Sequence, residues 1–134
     1  MKLHTYTLVL LLLLTTSCEH GVIIRWYNNA CERLTIVVLD RRSQEMDRGV
    51  ARKCHAVTTG IPLKLRIEHG TGAWYYNAPQ VLVPERYWRR KNAMISVIGL
   101  QVQPDGSIYV LSPETKDSAT NFPPQPTGYP LHPE

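Results

Sequence analysis

Hydrophobic residues recur along this chain mainly with a period of two, which is typical of β-strands that bury one face. The alternation is clearest in Ile61–Glu68, where the odd positions are aliphatic and positions 64, 66 and 68 are charged. Val22–Tyr27 shows the same period. Leu34–Leu39 is apolar at nearly every position, as expected of a strand covered on both faces. These three stretches are therefore predicted to be strands.

Turn residues mark the elements that follow. The sequence His69-Gly70-Thr71-Gly72 predicts a turn, after which Trp74-Tyr75-Tyr76 begins another strand. Pro104-Asp105-Gly106 combines a proline that restricts φ with a glycine that tolerates positive φ. We therefore predict a hairpin over residues 94–111.

Two stretches are assigned less directly, and the whole pattern indicates the fold class. The charged stretch Asp40–Lys53 is interpreted as a loop or a weak edge strand. The helical candidate is the stretch 84–91, because Pro84 and Glu85 suit the first positions of a short helix. About six or seven short strands with closely spaced turns predict an all-β fold, a small antiparallel β-sandwich of immunoglobulin-like or transthyretin-like type. The sandwich is expected to span residues 21–112.

Residues 113–134 differ in composition from the rest of the chain. They hold six of the ten prolines, and Phe122, Tyr129 and Leu131 are their only large apolar residues. Such a segment buries too little surface to offset its ordering entropy, so it is predicted to be an extended or disordered Pro-rich tail. Two roles remain open: a solvated tail that docks loosely on its own domain, and a motif that captures a partner.

The amino terminus has the layout of a secretory signal. Lys2 supplies a positive charge, Leu8–Leu14 is a run of seven aliphatic residues, and Thr15-Thr16-Ser17 provides small residues before a cleavage point. Even counted from Tyr6, the apolar run is nine residues long, whereas a membrane-spanning helix needs roughly 20. We therefore expect an exported protein and do not expect this run to serve as a transmembrane anchor.

The sequence Leu14-Thr15-Thr16-Ser17-Cys18 resembles the lipobox of small bacterial envelope lipoproteins, although that family usually has leucine three residues before the cysteine. The resemblance implies that residues 1–17 are a signal peptide and that Cys18 carries a lipid anchor with acyl chains such as palmitate, followed by a linker over residues 18–20. Glu19 is not the aspartate that often retains such proteins at the inner membrane. The resemblance therefore implies the periplasmic face of the outer membrane. The alternative is an ordinary signal-peptidase cut and a soluble periplasmic or secreted protein.

The number of cysteines is consistent with this resemblance. The chain has three cysteines, Cys18, Cys31 and Cys54, and an exported protein with an odd number leaves one thiol unpaired. If Cys18 carries lipid, Cys31 and Cys54 can form one disulfide, which would close a loop of about 24 residues. The alternatives are a free or intermolecular Cys18 and a reactive Cys54. Neighbours on an extended chain point to opposite faces, so His55 is poorly placed to act as a base for Cys54.

Charge and motifs exclude several classes of function. The net charge of +4 falls to +3 when residues 1–17 are removed, because Lys2 is lost and no acidic residue goes with it. This mild positive charge favours anionic partners but does not indicate nucleic acid. No histidine or cysteine pair has metal-ligand spacing, and the sequence contains no phosphate-binding loop or nucleophile elbow. We therefore expect no metal, no cofactor and no catalytic residues, and hence a protein that is not an enzyme.

Arginine and aromatic residues are concentrated in one part of the chain. Guanidinium groups beside aromatic rings suit sugar rings, anionic headgroups or the acidic surface of a protein, and both residue types are enriched at interface hot spots. The alternative is that Tyr87 and Trp88 close one end of the sandwich while the neighbouring basic residues are solvated. The predicted binding surface consists of Trp74, Tyr76, Arg86, Tyr87, Trp88, Arg89 and Arg90.

These features predict a non-enzymatic lipoprotein of the cell envelope, held to the membrane by its N-terminal lipid, that acts as a protein-interaction or assembly accessory module. The alternative is a binding module for glycan or for an anionic envelope polymer, which would use the same arginine and aromatic surface. Sensitivity of binding to salt would indicate an electrostatic contribution in either case.

Overall fold

The computed structural model describes residues 21–30, 32–51, 55–59, 64–77 and 83–134 of the chain. Cys18, Cys31 and Cys54, on which the predicted lipid anchor and disulfide depend, lie outside the described residues. A 3₁₀ turn at Glu85–Tyr87 precedes the seventh strand. The strands are β1 (Gly21–Asn28), β2 (Leu34–Leu39), β3 (Glu45–Ala51), β4 (His55–Thr59), β5 (Lys64–His69), β6 (Gly72–Asn77), β7 (Trp88–Arg90), β8 (Ile95–Val102) and β9 (Ile108–Val110).

The strands form two sheets that pack face to face, which confirms the predicted all-β sandwich. The first sheet has the order β4-β1-β8-β7, and β9 also pairs with β8; the second sheet has the order β3-β2-β5-β6. The pairs are antiparallel except for β1 and β8, which run parallel through the middle of the first sheet. β7 pairs with the first half of β8 and β9 with its second half, so both lie along the same side of that strand.

The core agrees closely with the periodic pattern of the sequence. Leu65 and Ile67 on β5 are buried, whereas the charged residues that alternate with them at positions 64, 66 and 68 are half-buried. Both Ile36 and Val37 on β2 are fully buried, so this strand is covered on both faces as predicted. Trp26 on β1 lies at the centre of the core with 0% exposure, and its Nε1 donates a hydrogen bond of 2.8 Å to the Thr58 hydroxyl on β4.

The hairpin and edge-strand predictions hold, whereas the helical one is wrong. β8 and β9 pair antiparallel across the turn that contains Gly106, whose φ is +84°. β3 occupies part of the charged stretch and forms the edge of the second sheet. In the helical candidate only Glu85–Tyr87 forms a single 3₁₀ turn, and Trp88–Arg90 then pairs with β8. A short segment gains more backbone hydrogen bonds from an unpaired sheet edge than from an isolated helical turn.

The Pro-rich segment 113–134 runs over the outer face of the first sheet. The Gln101 side chain on β8 both donates to and accepts from the Ala119 backbone, at 2.9 and 2.7 Å. The Gln125 side chain likewise donates to the Val110 carbonyl on β9 at 2.9 Å and accepts from the Val110 N–H at 2.8 Å. Phe122 stacks on the ring of Tyr109 on β9, with the ring centroids 4.2 Å apart. Amide side chains therefore hold the part of this segment between residues 119 and 125, where no strand pairing is formed.

The end of this segment closes the gap between the two sheets. Leu131 exchanges two backbone hydrogen bonds of 2.9 Å with Ile108 on β9. The backbone N–H of Glu134 then donates to the Tyr75 carbonyl on β6, also at 2.9 Å. Tyr129 packs against the core between these points, and its burial raises its pKa to about 12. The chain terminus thus connects the edge of one sheet to the edge of the other.

We expect Gln125→Ala to loosen segment 113–134. The substitution leaves the N–H and carbonyl groups of Val110 without partners, which costs about 1–3 kcal/mol for each buried group that water does not reach. Hydrogen exchange of amides 115–131 should accelerate while exchange in the core strands changes little. Gln44→Ala is the matched control, because that side chain is exposed in the β2–β3 hairpin. Equal exchange rates in the two variants would show that the amide of Gln125 does not hold the segment.

Candidate functional site

The structure divides the predicted arginine and aromatic surface between two faces of the first sheet. On β7, Trp88 pairs with Ile98, a core residue, and Arg90 shares the face of Trp88. Arg89 pairs with Val97 and lies on the opposite, outer face. Since successive residues of a strand point to opposite faces, the three neighbours in sequence do not form one surface.

Trp74 and Tyr76 belong to the second sheet and hold the β8–β9 turn. Tyr76 is 2% exposed, and its hydroxyl donates to the Gly106 carbonyl at 2.6 Å. Burial, with the nearby charge of Asp105, raises the pKa of this hydroxyl. Trp74 is half-buried and packs on the His69 ring, with centroids 4.3 Å apart. Neither side chain joins β7 in a common site.

Two of the residues predicted for the binding surface are largely buried in the core, although Tyr87 also contributes to the lining of the cleft described below. Tyr76 and Tyr87 are only 2% and 6% exposed. The Tyr87 hydroxyl donates to the Pro124 carbonyl of the Pro-rich segment, so this ring closes one part of the domain as the alternative interpretation held. Arg86 lies over the Tyr87 ring at 5.0 Å, a cation–π arrangement that leaves the arginine exposed.

Arg89 lines a narrow cleft on the outer face together with Arg25 of β1. Arg25 pairs with Gly99 and Arg89 with Val97, so the two arginines approach β8 from opposite sides, two residues apart along it. Gly99 also lines the cleft, and the Leu111 side chain and the Tyr27 ring lie close above it. The open volume is about 10 Å³, which is room for about one water-sized group. The remaining lining includes Tyr27, Tyr87, Ser112 and Thr115.

The charge of this cleft is unbalanced. Within the described part of the chain, the side chains of Arg25 and Arg89 form no hydrogen bond or ion pair, and the Nε of Arg25 is buried without a partner. At the rim, the Ser112 hydroxyl donates to the Glu114 carboxylate, which forms no ion pair with either arginine. A buried guanidinium N–H without an acceptor is costly and is uncommon in folded proteins. The cleft is therefore complementary to an anionic acceptor.

Two arginines of the second sheet, in contrast, form ion pairs with neighbouring glutamates. Arg48 contacts the carboxylates of Glu45 and Glu68 at 2.8 and 3.5 Å, and Arg66 contacts Glu68 at 3.1 Å. The hydrogen bond from Arg48 lowers the pKa of Glu45. Acidic partners are thus available to arginines on this sheet, and the pair on the first sheet differs in having none among the described residues.

A second, larger depression lies on the other face of β7. Its volume is about 400 Å³, and Val22, Glu85, Trp88, Arg90 and Ser96 line it. The register aligns Val22, Ser96 and Arg90 in one row across three strands. The Trp88 indole donates to the Val83 carbonyl at 2.7 Å, which fixes the orientation of the ring. This depression combines an aromatic ring with groups able to bind hydroxyls.

The surface predicted from the sequence includes Arg89 of this cleft but neither Arg25 nor the hydroxyl groups of the cleft. One signal for Arg25 was available in the sequence. It is the only charged residue in the strand Val22–Tyr27, and it belongs to the set of alternating positions that face away from the core. No local pattern indicated Ser112 and Thr115, since they reach the cleft only when the Pro-rich segment folds back over the sheet.

Other features of the molecule give little further guidance on function. Among the described residues, no three His, Cys, Asp or Glu side chains are grouped in a way that would hold a metal ion. None of the described residues forms a helix of sufficient length and apolarity to cross a membrane. No family model, curated protein or solved structure matches the chain.

Proposed function

We propose that the mature protein is a non-enzymatic accessory module of the bacterial cell envelope that captures an acidic segment of a protein partner. Lipid on Cys18 holds it at the periplasmic face of the outer membrane, and a Cys31–Cys54 disulfide stabilises the domain. The observation that carries the binding role is the pair of arginines, Arg25 and Arg89, in a cleft that supplies them with no described acceptor.

The size of the cleft favours a protein carboxylate as the ligand. A space of about 10 Å³ excludes a sugar ring but has room for one oxygen atom of an anionic group that projects from a larger surface. Guanidinium groups bind carboxylates through charge-assisted hydrogen bonds, which are shorter and stronger than neutral ones. Because Arg25 and Arg89 are half-buried, salt screens such a contact less than it screens an exposed ion pair. Arg86 adds positive charge beside the cleft.

The test is a titration with a Glu-rich peptide, followed through the side-chain Nε–H resonances of arginine. The resonances of Arg25 and Arg89 should shift. The double variant Arg25→Gln/Arg89→Gln should weaken binding about 10- to 100-fold, because each lost charge-assisted hydrogen bond is worth about 1.5–3 kcal/mol before discounting for partial exposure. Inorganic phosphate in a parallel titration distinguishes a carboxylate preference from general anion binding.

The matched control is Arg41→Gln/Arg42→Gln, which removes the same charge from two exposed arginines of the β2–β3 hairpin. Binding by this variant should stay within about twofold of the unmodified protein, because distant exposed charges are largely screened at physiological salt. Equal weakening of binding in both double variants would show that binding depends on net charge and not on the cleft. Absence of any shift at Arg25 would contradict the assignment of the cleft.

A second candidate function is the binding of an envelope glycan in the larger depression. Its volume of about 400 Å³ suits one sugar residue, and Trp88 with Arg90 and Glu85 supplies a ring face and hydroxyl-binding groups. A muropeptide or oligosaccharide titrated into the same sample separates the two functions. Glycan binding would shift the Trp88 indole N–H resonance and leave those of Arg25 and Arg89 unchanged.

A further inference from the structure

The end of the sandwich where β1 and β8 begin has an exposed apolar surface. Gly21 and Ile95 start these parallel strands side by side, and the N–H of Gly21 donates to the Met94 carbonyl at 2.7 Å. Met94 is 49% exposed, whereas most large apolar residues of the described chain are buried. A shallow open depression of about 430 Å³ lies here, lined by Gly21, Asn92, Ala93, Met94 and Ile95.

The turn that presents Met94 is well organised. The Asn92 side-chain oxygen accepts hydrogen bonds of 2.8 Å from the N–H groups of both Met94 and Ile95. The backbone N–H groups of Lys91 and Asn92 both donate to the Ile95 carbonyl, at 2.9 and 3.3 Å. These contacts fix the turn and direct Met94 away from the domain. Its exposure is therefore a property of a stable turn.

The distance along the chain indicates what covers this surface. Only three residue steps separate Cys18 from Gly21, and a chain spans at most about 3.6 Å per residue. If Cys18 carries lipid, as in the proposed function on which this inference rests, Gly21 lies within about 11 Å of the acylated cysteine. The opposite end of β8 lies about 23 Å further away, at about 3.3 Å for each residue of the strand.

The charge of the neighbouring residues suits a phospholipid surface. Arg90 and Lys91 are exposed beside the apolar turn, and neither forms an ion pair with a described residue. Basic residues close to a bilayer are attracted to anionic headgroups, and the attraction is lost within about a Debye length. An apolar tip with adjacent positive charge is the usual composition of a surface that rests at the headgroup level.

We propose that residues 91–95, together with Gly21, form a membrane-contact surface that rests in the headgroup layer beside the lipid anchor. The parallel strands β1 and β8 then stand away from the membrane. The arginine cleft, four residues along β1 from Gly21, lies about 13 Å above this surface. An acidic partner therefore reaches the cleft from the side of the domain without displacing its membrane contact.

The test places a photoreactive phenylalanine derivative at position 94 or, as the matched control, at position 104. Met94 precedes β8, and Pro104 is exposed in the turn after it, so the two positions lie at opposite ends of one strand. The full-length, processed protein is reconstituted in vesicles of phosphatidylethanolamine and phosphatidylglycerol and irradiated. Mass spectrometry should find lipid adducts at position 94 at least about fivefold more often than at position 104.

Several results would overturn the proposal. Equal lipid adducts at both positions would show that the domain has no preferred orientation. Crosslinks from position 94 to a second copy of the chain would assign the surface to self-association, and absence of adducts at both positions would place the domain away from the bilayer. Flotation of the protein with the vesicles is scored separately. Failure to float would contradict both the lipid anchor and the proposed envelope function. Flotation without the expected adduct pattern would contradict the membrane-contact surface alone.

Discussion

Replacement of Trp26 with alanine is expected to cause the largest loss of stability of any single substitution in the described residues. The side chain is 0% exposed at the centre of the core, between the two sheets. Removing a buried tryptophan costs about 3–5 kcal/mol, which is a large part of the 5–15 kcal/mol typical of a folded domain. The free energy of unfolding from urea titration should fall accordingly.

Trp26→Phe separates the contribution of packing from that of hydrogen bonding. The phenyl ring retains much of the buried apolar volume but cannot donate a hydrogen bond. The Thr58 hydroxyl therefore loses the 2.8 Å bond that it accepts from Trp26 in the unmodified protein. We expect this variant to lose about 1–3 kcal/mol, mainly because the Thr58 hydroxyl remains buried without its donor. A loss below about 1 kcal/mol for Trp26→Ala would contradict the placement of this residue in the core.

Breaking the predicted Cys31–Cys54 disulfide is expected to have the second largest effect. A cross-link that closes a loop of about 24 residues contributes about 3 kcal/mol by restricting the unfolded chain. At about 4 °C for each kcal/mol in a domain of this size, the double variant Cys31→Ala/Cys54→Ala should melt about 12 °C lower. Thermal unfolding followed by circular dichroism measures the shift.

Reductant provides an independent check of the same bond. Treatment of the unmodified protein should lower its melting temperature by a similar amount and should have no effect on the double variant. Peptide mapping without reduction should recover Cys31 and Cys54 in one cross-linked fragment. Two separate peptides with free thiols, or melting curves that coincide with and without reductant, would show that the two cysteines are unpaired.

The elements predicted correctly are those whose evidence is local. The strand Leu34–Leu39 follows from a continuous apolar run. The strand that includes Lys64–Glu68 follows from an alternation of buried and half-buried side chains with the period of a strand. The β8–β9 hairpin follows from a turn that needs glycine at Gly106. Each of these signals lies within about ten residues, so a single sequence contains it.

Features that depend on distant contacts were not predictable in this way. The pairing of β1 with β8 joins strands that are far apart in the sequence, and a parallel pair has no turn sequence to mark it. The stretch Trp88–Arg90 becomes a strand only because β8 offers it a free edge. The path of segment 113–134 depends on two glutamine side chains that bind backbone groups far away in sequence.

The candidate site likewise combines one residue from a stretch that the sequence pattern marks with others that only the fold brings together. The arginine-rich, aromatic stretch includes Arg89 of the proposed cleft, but composition does not tell which rings are buried, and Tyr76 and Tyr87 are. Arg25 lies more than sixty residues earlier in the sequence and meets Arg89 only across β8. The cleft is therefore a product of sheet order, and the proposal that it binds an anion follows from the charges that the fold leaves unpaired.

The proposed envelope function depends most directly on the chemistry of Cys18, and mass spectrometry of the mature amino terminus tests it. Protein purified from membranes of its native host, or of a bacterium with the lipoprotein-processing enzymes, should yield an N-terminal peptide that begins at Cys18 and carries acyl chains. A peptide that still begins at Met1, or one in which Cys18 has a free thiol, would contradict membrane attachment by lipid.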